Sequence, residues 1–447
     1  MIKIAPTKSI KYLLFIYVAG SLFYATFHVL QLSQSNPPVP RHRSGGRITP
    51  RSANDESMFQ QQQQQQHVII PTKIQQYNEH LEQKSLSQQQ IQQPYLNAFM
   101  MSKVFYSSMG ASKNVQPYFF KSQATHSKDD VTISTLVTPN RFHVLARLAS
   151  NYKGPISATI HIKNDEDGVD ALTELNNLME NSPSMQQHVD VHLIVDDYDR
   201  QFNMWRNVAK LFAQTEYIMM LDVDFHICTD FRTTTLRQLP KRFPELKQKL
   251  DSSHAALVIP AFEYEDQKDG EDWRKFPTTK SKLMQEPIDM FHRAWTRGHG
   301  STNYTHWYQA TEPYKVVDYN YSYEPYVIMK KEGTPWCDER FIGYGANKAA
   351  CLYEIYLSGM EYWVLPEDFI IHQTHHYPEQ TRDKERWYNR KLYTNFREEL
   401  CLRYTRKMVA DEEWKTPRAD NLKTECAKIK GFSTTVQKMI GDIQEEE

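Results

Sequence analysis

Asp222 and Asp224 close the run Tyr217-Ile-Met-Met-Leu-Asp-Val-Asp. On extended backbone, side chains two residues apart point to the same side. Two hard oxygen donors so placed suit Mg²⁺ or Mn²⁺, and such a cation in turn holds a phosphate. The five residues before them, 217–221, are apolar or aromatic without interruption, which is the pattern of a strand buried on both faces. In an open α/β sheet, ligands bind at the carboxyl ends of the strands, where this pair falls. A cation held by two carboxylates alone keeps positions for a diphosphate, and a third protein ligand must come from elsewhere in the chain. His372 follows the apolar run Phe369-Ile-Ile directly, as Asp222 follows its own strand, and is the candidate. His375 and His376 are the alternates.

The segments that must position these groups alternate in periodicity. Residues 131–138 are β-branched and strand-like. In 139–152, Phe142, Leu145, Leu148 and Ala149 recur at helical spacing. A strand over 156–162, a helix over 169–180, a strand over 189–195 and a helix over 202–213 lead to the strand at 217–221. Such alternation with short links predicts a doubly wound α/β domain, its parallel sheet covered on both faces. Beyond it, 229–250 reads as helix broken at Pro240, and 255–262 as one further strand. The stretch 263–323 is polar and aromatic with few regular signals, a substrate-facing insertion. A strand over 326–329 precedes Phe341-Ile-Gly-Tyr-Gly-Ala-Asn, a tight glycine turn opening a helix through 358. Short strands over 362–365 and 369–371 run into His372. The remainder is charged and helical.

The chain has 447 residues and a formal charge of −1. Balanced charge offers no general case for nucleic acid. Five cysteines are too few for a disulfide scaffold and none has zinc spacing. They allow at most one or two bridges, Cys401 with Cys426 among the candidates, or none. Residues 12–32 contain no Asp, Glu, Lys or Arg, and as a helix would span about 30 Å, the thickness of a bilayer core. Lys3, Lys8 and Lys11 precede them. The reading is a cytoplasmic tail at 1–11, a retained signal anchor at 12–32 and the rest of the chain in the secretory lumen. Residues 33–127, with the run Gln60–Gln66, read as a largely disordered stem that becomes more apolar over 95–120 and there packs onto the domain. Asn303-Tyr-Thr and Asn320-Tyr-Ser are glycosylation acceptors that agree with a lumenal location.

Several pieces recur in one order: Asp130-Val-Thr-Ile, Gly154-Pro-Ile-Ser, Arg206-Asn-Val-Ala, Leu221-Asp-Val-Asp-Phe, Tyr323-Glu-Pro-Tyr, Asp338-Glu-Arg-Phe-Ile-Gly-Tyr-Gly-Ala-Asn-Lys and Val364-Leu-Pro-Glu-Asp-Phe-Ile-Ile-His. Together they make the segment 129–377 resemble the LARGE-like glycosyltransferases of family 49, whose members include glucuronyltransferases that build matriglycan on dystroglycan. The resemblance implies a single GT-A catalytic domain over 128–378 followed by a helical extension over 379–447. It implies Mn²⁺ or Mg²⁺, a UDP-sugar donor (glucuronic acid-like or related), a glycan or glycoprotein acceptor, and a type II location in the Golgi membrane. Asp222, Asp224 and His372 would be the metal ligands. Arg206 and Asn207 would lie near the nucleotide or brace the sheet mouth. Glu324, Asp338 and the Gly343-Tyr344-Gly345 turn with Asn347 would shape the donor-sugar and acceptor side.

Transfer in such a family inverts the anomeric carbon, so a carboxylate must take the acceptor's proton. Other inverting GT-A enzymes place Glu-Asp after a Gly-aromatic-Gly turn, whereas Ala346-Asn347-Lys348 stands here. Asp338, Glu324 and Glu354 are therefore the candidates for the base, in that order. One such domain implies transfer of a single sugar rather than processive synthesis. Two other classes compete. A haloacid-dehalogenase-like phosphohydrolase would want Thr two residues past the second Asp, where His226 stands. A membrane-anchored sugar-binding protein without catalysis is the other.

Overall fold

A computed structural model describes residues 114–198, 200–375 and 382–445. The expected anchor, most of the stem and His376 lie outside the described residues. Among the described residues no helix is long and apolar enough to cross a membrane.

The central element is a nine-stranded sheet in which β1 (Val115–Phe120), β4 (Val189–Val195), β3 (Ile156–Ile162), β2 (Val131–Val137), β5 (Tyr217–Met220), β11 (Tyr326–Lys330), β7 (Ala255–Ile259), β12 (Glu361–Val364) and β10 (Tyr314–Lys315) lie side by side in that order. Strands β4, β3, β2 and β5 run parallel. All seven residues of β3 and of β4 are buried, the polar Ser157, Thr159, His161, Asp190 and His192 among them. One face is covered by α1 (Phe142–Tyr152) and α2 (Glu166–Asn181), whose Phe142, Leu145, Leu148 and Leu175 join Ile133, Ile160 and Val191 in one core. The other face is covered by α3 (Phe202–Phe212) and by α4 (Asn347–Leu357) backed by α5 (Arg382–Ala410).

The sheet is mixed rather than wholly parallel, which corrects the doubly wound parallel expectation. β11 is antiparallel to both of its neighbours, with Val327 opposite Met220 and Tyr326 opposite Ile259. Its first residues therefore lie at the carboxyl ends of β5 and β7. The preceding insertion ends on that edge, so the next strand has to run back across the sheet.

The single strand expected at 255–262 is two. Pro260 has no N–H to give to a ladder, and the chain changes sheets there. β8 (Ala261–Tyr264) joins β6 (Phe225–Ile227), β13 (Ile370–His372) and β9 (Ile288–Met290) in a four-stranded sheet ordered β6-β13-β8-β9. The helical stretch expected at 229–250 comes in three pieces, Arg232–Leu236, Arg237–Arg242 and Pro244–Asp251, and the break falls at Phe243 before Pro244 rather than at Pro240, which lies inside the second piece.

Residues 115–120, given to the stem on composition, form edge strand β1, antiparallel to β4. Tyr118 anchors it by donating from its hydroxyl to the Phe212 carbonyl at 2.9 Å. The insertion 263–323 packs as an integral part of the second core. Trp307 is fully buried and its indole N–H donates to the Leu365 carbonyl at 2.9 Å. Cys401 pairs with Cys426 and Cys337 with Cys351, leaving Cys228 a buried thiol.

Candidate functional site

Four elements meet where β5 ends. β5 delivers Asp222 two residues past Met220, and the reversed β11 begins with Tyr326 beside it. α3 contributes Arg206, and the first turn of α4 contributes Asn347 and Lys348. The Tyr326 hydroxyl donates to Asp222 Oδ2 at 2.9 Å, and Lys348 Nζ lies 3.1 Å from the same oxygen. Arg206 Nη2 is 3.6 Å from Oδ1. Lys348 Nζ also sits 3.3 Å from the centre of the Tyr326 ring, a cation–π contact that offsets part of its desolvation. Both cations are nearly buried, whereas about a third of the Asp222 side chain (34%) reaches solvent. Burial alone would raise the Asp222 carboxyl. The charges of Lys348 and Arg206 and the Tyr326 hydrogen bond outweigh it and hold the group well below the usual carboxylate range. Burial pulls the Lys348 ammonium below its ordinary value, against the attraction of Asp222.

Asp224 has a different environment. β6 pairs antiparallel with β13 so that His372 stands opposite Phe225, and the Gln373 N–H donates to the Asp224 carbonyl at 2.8 Å. This register fixes the approach of the two segments. His375 Nε2 lies 2.6 Å and His372 Nε2 4.0 Å from Asp224 Oδ2. One ligand atom from each of the three residues falls within 4.8 Å of the others. Among the described residues this is the group that could hold a metal ion. His372 is packed between the rings of Phe225 and Phe291, with centroids 5.2 and 4.8 Å away. Burial pushes its imidazole down to about 4, so its ring nitrogen is unprotonated at neutral pH and available as a ligand. Two imidazoles and a carboxylate suit a divalent transition cation. Asp222 stands outside this trio and faces the two cations instead.

The other expected residues divide into those at the site and those that build its walls. Arg206 is held by Asn203 Oδ1 at 2.9 Å and Asn347 Oδ1 at 2.8 Å, which aim it at Asp222. Asn347 in turn donates to the Gly343 carbonyl at 2.9 Å. Asn207 is a brace. Its side chain donates to the Cys337 carbonyl and Glu339, and accepts from the Cys337 N–H, at 2.8, 3.0 and 2.9 Å. Gly343 and Gly345 both take positive φ, 82° and 90°. A Cβ on Gly343 would come within 2.4 Å of Glu385 Oε2, which accepts from the Tyr344 N–H at 2.9 Å. The glycine turn is thus clamped to the start of α5.

Of the three candidate bases, Glu324 is the one that shares the field of Asp222. Burial raises its carboxyl above the ordinary value, against Lys348, Arg206 and a hydrogen bond from the Ala349 N–H. Asp338 has no solvent exposure and is bound by Arg340 through Nε at 3.0 Å and Nη2 at 2.6 Å. Glu354 faces Arg403 and Tyr404, at 2.7 and 3.1 Å. Neither is brought to Asp222 or Asp224.

Sequence reasoning passed over Lys348 and Tyr326 as site residues. A signal existed for Lys348. A lysine in the first turn of a helix opposes the helix dipole, and here Asp222 compensates. A separate groove of about 580 Å³, lined by Thr229, Gln238, Arg242 and Asp368 among others, shares no residue with this site.

Residues 130–201 and 195–405 match the model of a family described as glycosyl-transferase for dystroglycan. Glycosyltransferase-like protein gnt14 of Dictyostelium discoideum is 29% identical over 307 residues, 65% of this chain and 45% of that protein. Xylosyl- and glucuronyltransferase LARGE2 of Mus musculus is 32% identical over 258 residues, 55% of this chain and 34% of that protein. The chain thus spans less than half the length of these curated relatives. The solved structure of GalNAc-T7 with UDP, GalNAc and Mn²⁺ superposes with a TM-score of 0.34 at 13% identity, over 69% of this chain and 55% of that one.

Proposed function

The chain belongs to glycosyltransferase family 49, and on that premise we propose that it moves one sugar, glucuronic acid-like or related, from a UDP-sugar to a hydroxyl of a glycan or glycoprotein acceptor. The reading includes a GT-A catalytic domain, dependence on Mn²⁺ or Mg²⁺, inversion at the anomeric carbon, and a type II Golgi anchor formed by residues 12–32. The observation that carries it is the side-by-side arrangement of two differently built carboxylates at the end of β5. Asp224 sits with two imidazoles, and Asp222 sits with two buried cations.

Asp224, His372 and His375 would hold the cation. Bound there, it would offset charge on the departing diphosphate. Arg206 and Lys348 supply fixed positive charge beside it, oriented before the substrate arrives and so needing no rearrangement during the reaction. Glu324 is the base of this scheme. Its raised affinity for a proton suits it to accept one from the acceptor hydroxyl, as that oxygen bonds to the anomeric carbon and the bond from that carbon to UDP breaks. The Ala349 N–H and Lys348 hold the carboxylate while it does so.

The test is Mn²⁺-dependent release of UDP across a panel of UDP-sugars, with phosphate esters as a parallel panel. UDP release from one or a few sugars, lost in Asp224→Asn without a change in melting temperature, is the expected result. Ester hydrolysis in place of UDP release, or full turnover in Asp224→Asn, would refute the proposal.

A further inference from the structure

Residues 291–299 touch each working part of the site. At one end Phe291 packs on His372, with ring centroids 4.8 Å apart. At the other end the buried His299 stacks on Tyr326 at 6.1 Å, and the Tyr326 hydroxyl donates to Asp222. Next to His299, the Gly298 carbonyl accepts from the Glu324 N–H at 2.7 Å. His292 stands between these contacts. Its ring lies 3.8 Å from that of Phe291 and 6.2 Å from that of His299. It is exposed, and among the described residues neither ring nitrogen has a hydrogen-bond partner. The charges of Lys348, Asp222 and Arg386 act on it, and it acts in turn on His372. Its backbone is left-handed, φ 57° and ψ 47°, a conformation that a non-glycine residue keeps only where its surroundings hold it. Glu263 supplies the hold, since its Oε1 accepts from the N–H groups of His292 at 2.8 Å and Arg293 at 3.4 Å.

Resting on the transferase reading, we propose that His292 is a specificity residue whose imidazole hydrogen-bonds a ring hydroxyl of the transferred sugar, with Glu263 as its positioning residue. In that reading a cation at Asp224, His372 and His375 holds the diphosphate and Glu324 faces the acceptor hydroxyl, so the transferred sugar lies between them. His292 is at the end of its segment that packs toward His372, on the leaving-group side of that sugar. Partial burial and the Lys348 charge, against Asp222, lower its imidazole below the ordinary value. At neutral pH it therefore offers one N–H and one lone pair. A sugar hydroxyl both donates and accepts, and can pair with either. A diphosphate oxygen only accepts, and Lys348 and Arg206 already serve it. The left-handed turn clamped by Glu263 fixes the ring before the sugar arrives, and strained backbone of this kind is concentrated at ligand clamps.

The test takes the UDP-sugar that the full chain turns over fastest with Mn²⁺ and compares its kcat/KM with those of analogues lacking one sugar hydroxyl each. In His292→Gly the preference for the complete sugar over one of these analogues should fall by about tenfold, the scale of a single hydrogen bond. Glycine takes left-handed backbone without strain, so the melting temperature should not fall. Calorimetric affinities for Mn²⁺ and UDP, and the acceptor KM, should not change. Glu263→Ala should narrow the same preference, and Glu263→Gln, which keeps an accepting oxygen, should retain it. A preference unaltered for every analogue in His292→Gly overturns the assignment, as does a weaker UDP affinity or a raised acceptor KM in its place. Turnover by the parent with that result sinks the assignment alone. Absence of donor turnover in the parent sinks the transferase reading itself, and the assignment with it.

Discussion

Replacing His375 by alanine should disable metal binding while leaving the fold in place. In the structure His375 Nε2 is 2.6 Å from Asp224 Oδ2, and its side chain is 13% exposed. Its loss takes the trio from three ligand groups to two and leaves Asp224 with His372 alone at 4.0 Å. Removing an outer partner of a metal ligand typically costs ten- to a hundredfold in affinity. Removing a ligand should therefore cost about a hundredfold or more, which is ~2.7 kcal/mol. Calorimetric titration of the full chain with Mn²⁺ measures it directly, and the Mn²⁺ dependence of UDP release gives the same number independently. His226→Ala is the control. That ring is two residues from Asp224 but stacks on Trp273 at 5.4 Å, so Mn²⁺ affinity should not change. A His375→Ala protein that binds Mn²⁺ as tightly as the parent would refute the three-ligand reasoning.

Asn207→Ala should lose about 3 kcal/mol of stability, since three buried hydrogen bonds disappear at roughly 1 kcal/mol each. Urea unfolding reads it, and unaltered stability with a raised donor KM would instead give Asn207 a role at the nucleotide. Glu324→Gln should lower kcat by about 10²–10⁴-fold with Mn²⁺ affinity and donor KM intact, and normal kcat would return the base to an open question. Acid stability should depend on His192, which is fully buried and pushed down to about 3, accepting at Nδ1 from the Tyr118 N–H at 3.0 Å. Above the unfolded value of 6.5 neither state is protonated and His192 adds no pH dependence. Between 6.5 and 3 the unfolded chain takes up a proton that the folded chain refuses. Stability therefore falls as pH falls, by up to about 1.4 kcal/mol per unit from this residue. His192→Asn should reduce that slope in urea titrations at pH 7, 6 and 5, and an unaltered slope would show the group is protonated in the folded state.

The chain's local periodicities determined much by themselves. The order of strands and helices from residue 131 to 221, and the arrival of Asp222 and Asp224 where an apolar strand stops, follow from patterns of period two and 3.6. Those patterns record which face of a segment is buried, and that information is local. Cys401 bonds to Cys426, one of the pairings that the five cysteines leave open in the sequence. Tertiary structure alone decided the direction of β11, the change of sheet at Pro260 and the engagement of Asp338 and Glu354 away from the site. It also decided that His375 approaches Asp224 more closely than His372 does, and that Lys348 and Tyr326 share Asp222. Each of these depends on which distant segment lies alongside. Strand direction depends on where the preceding connection leaves the sheet. The proton affinity of a carboxylate depends on burial and on charges that arrive from other elements. A residue's own neighbours in sequence carry neither piece of information.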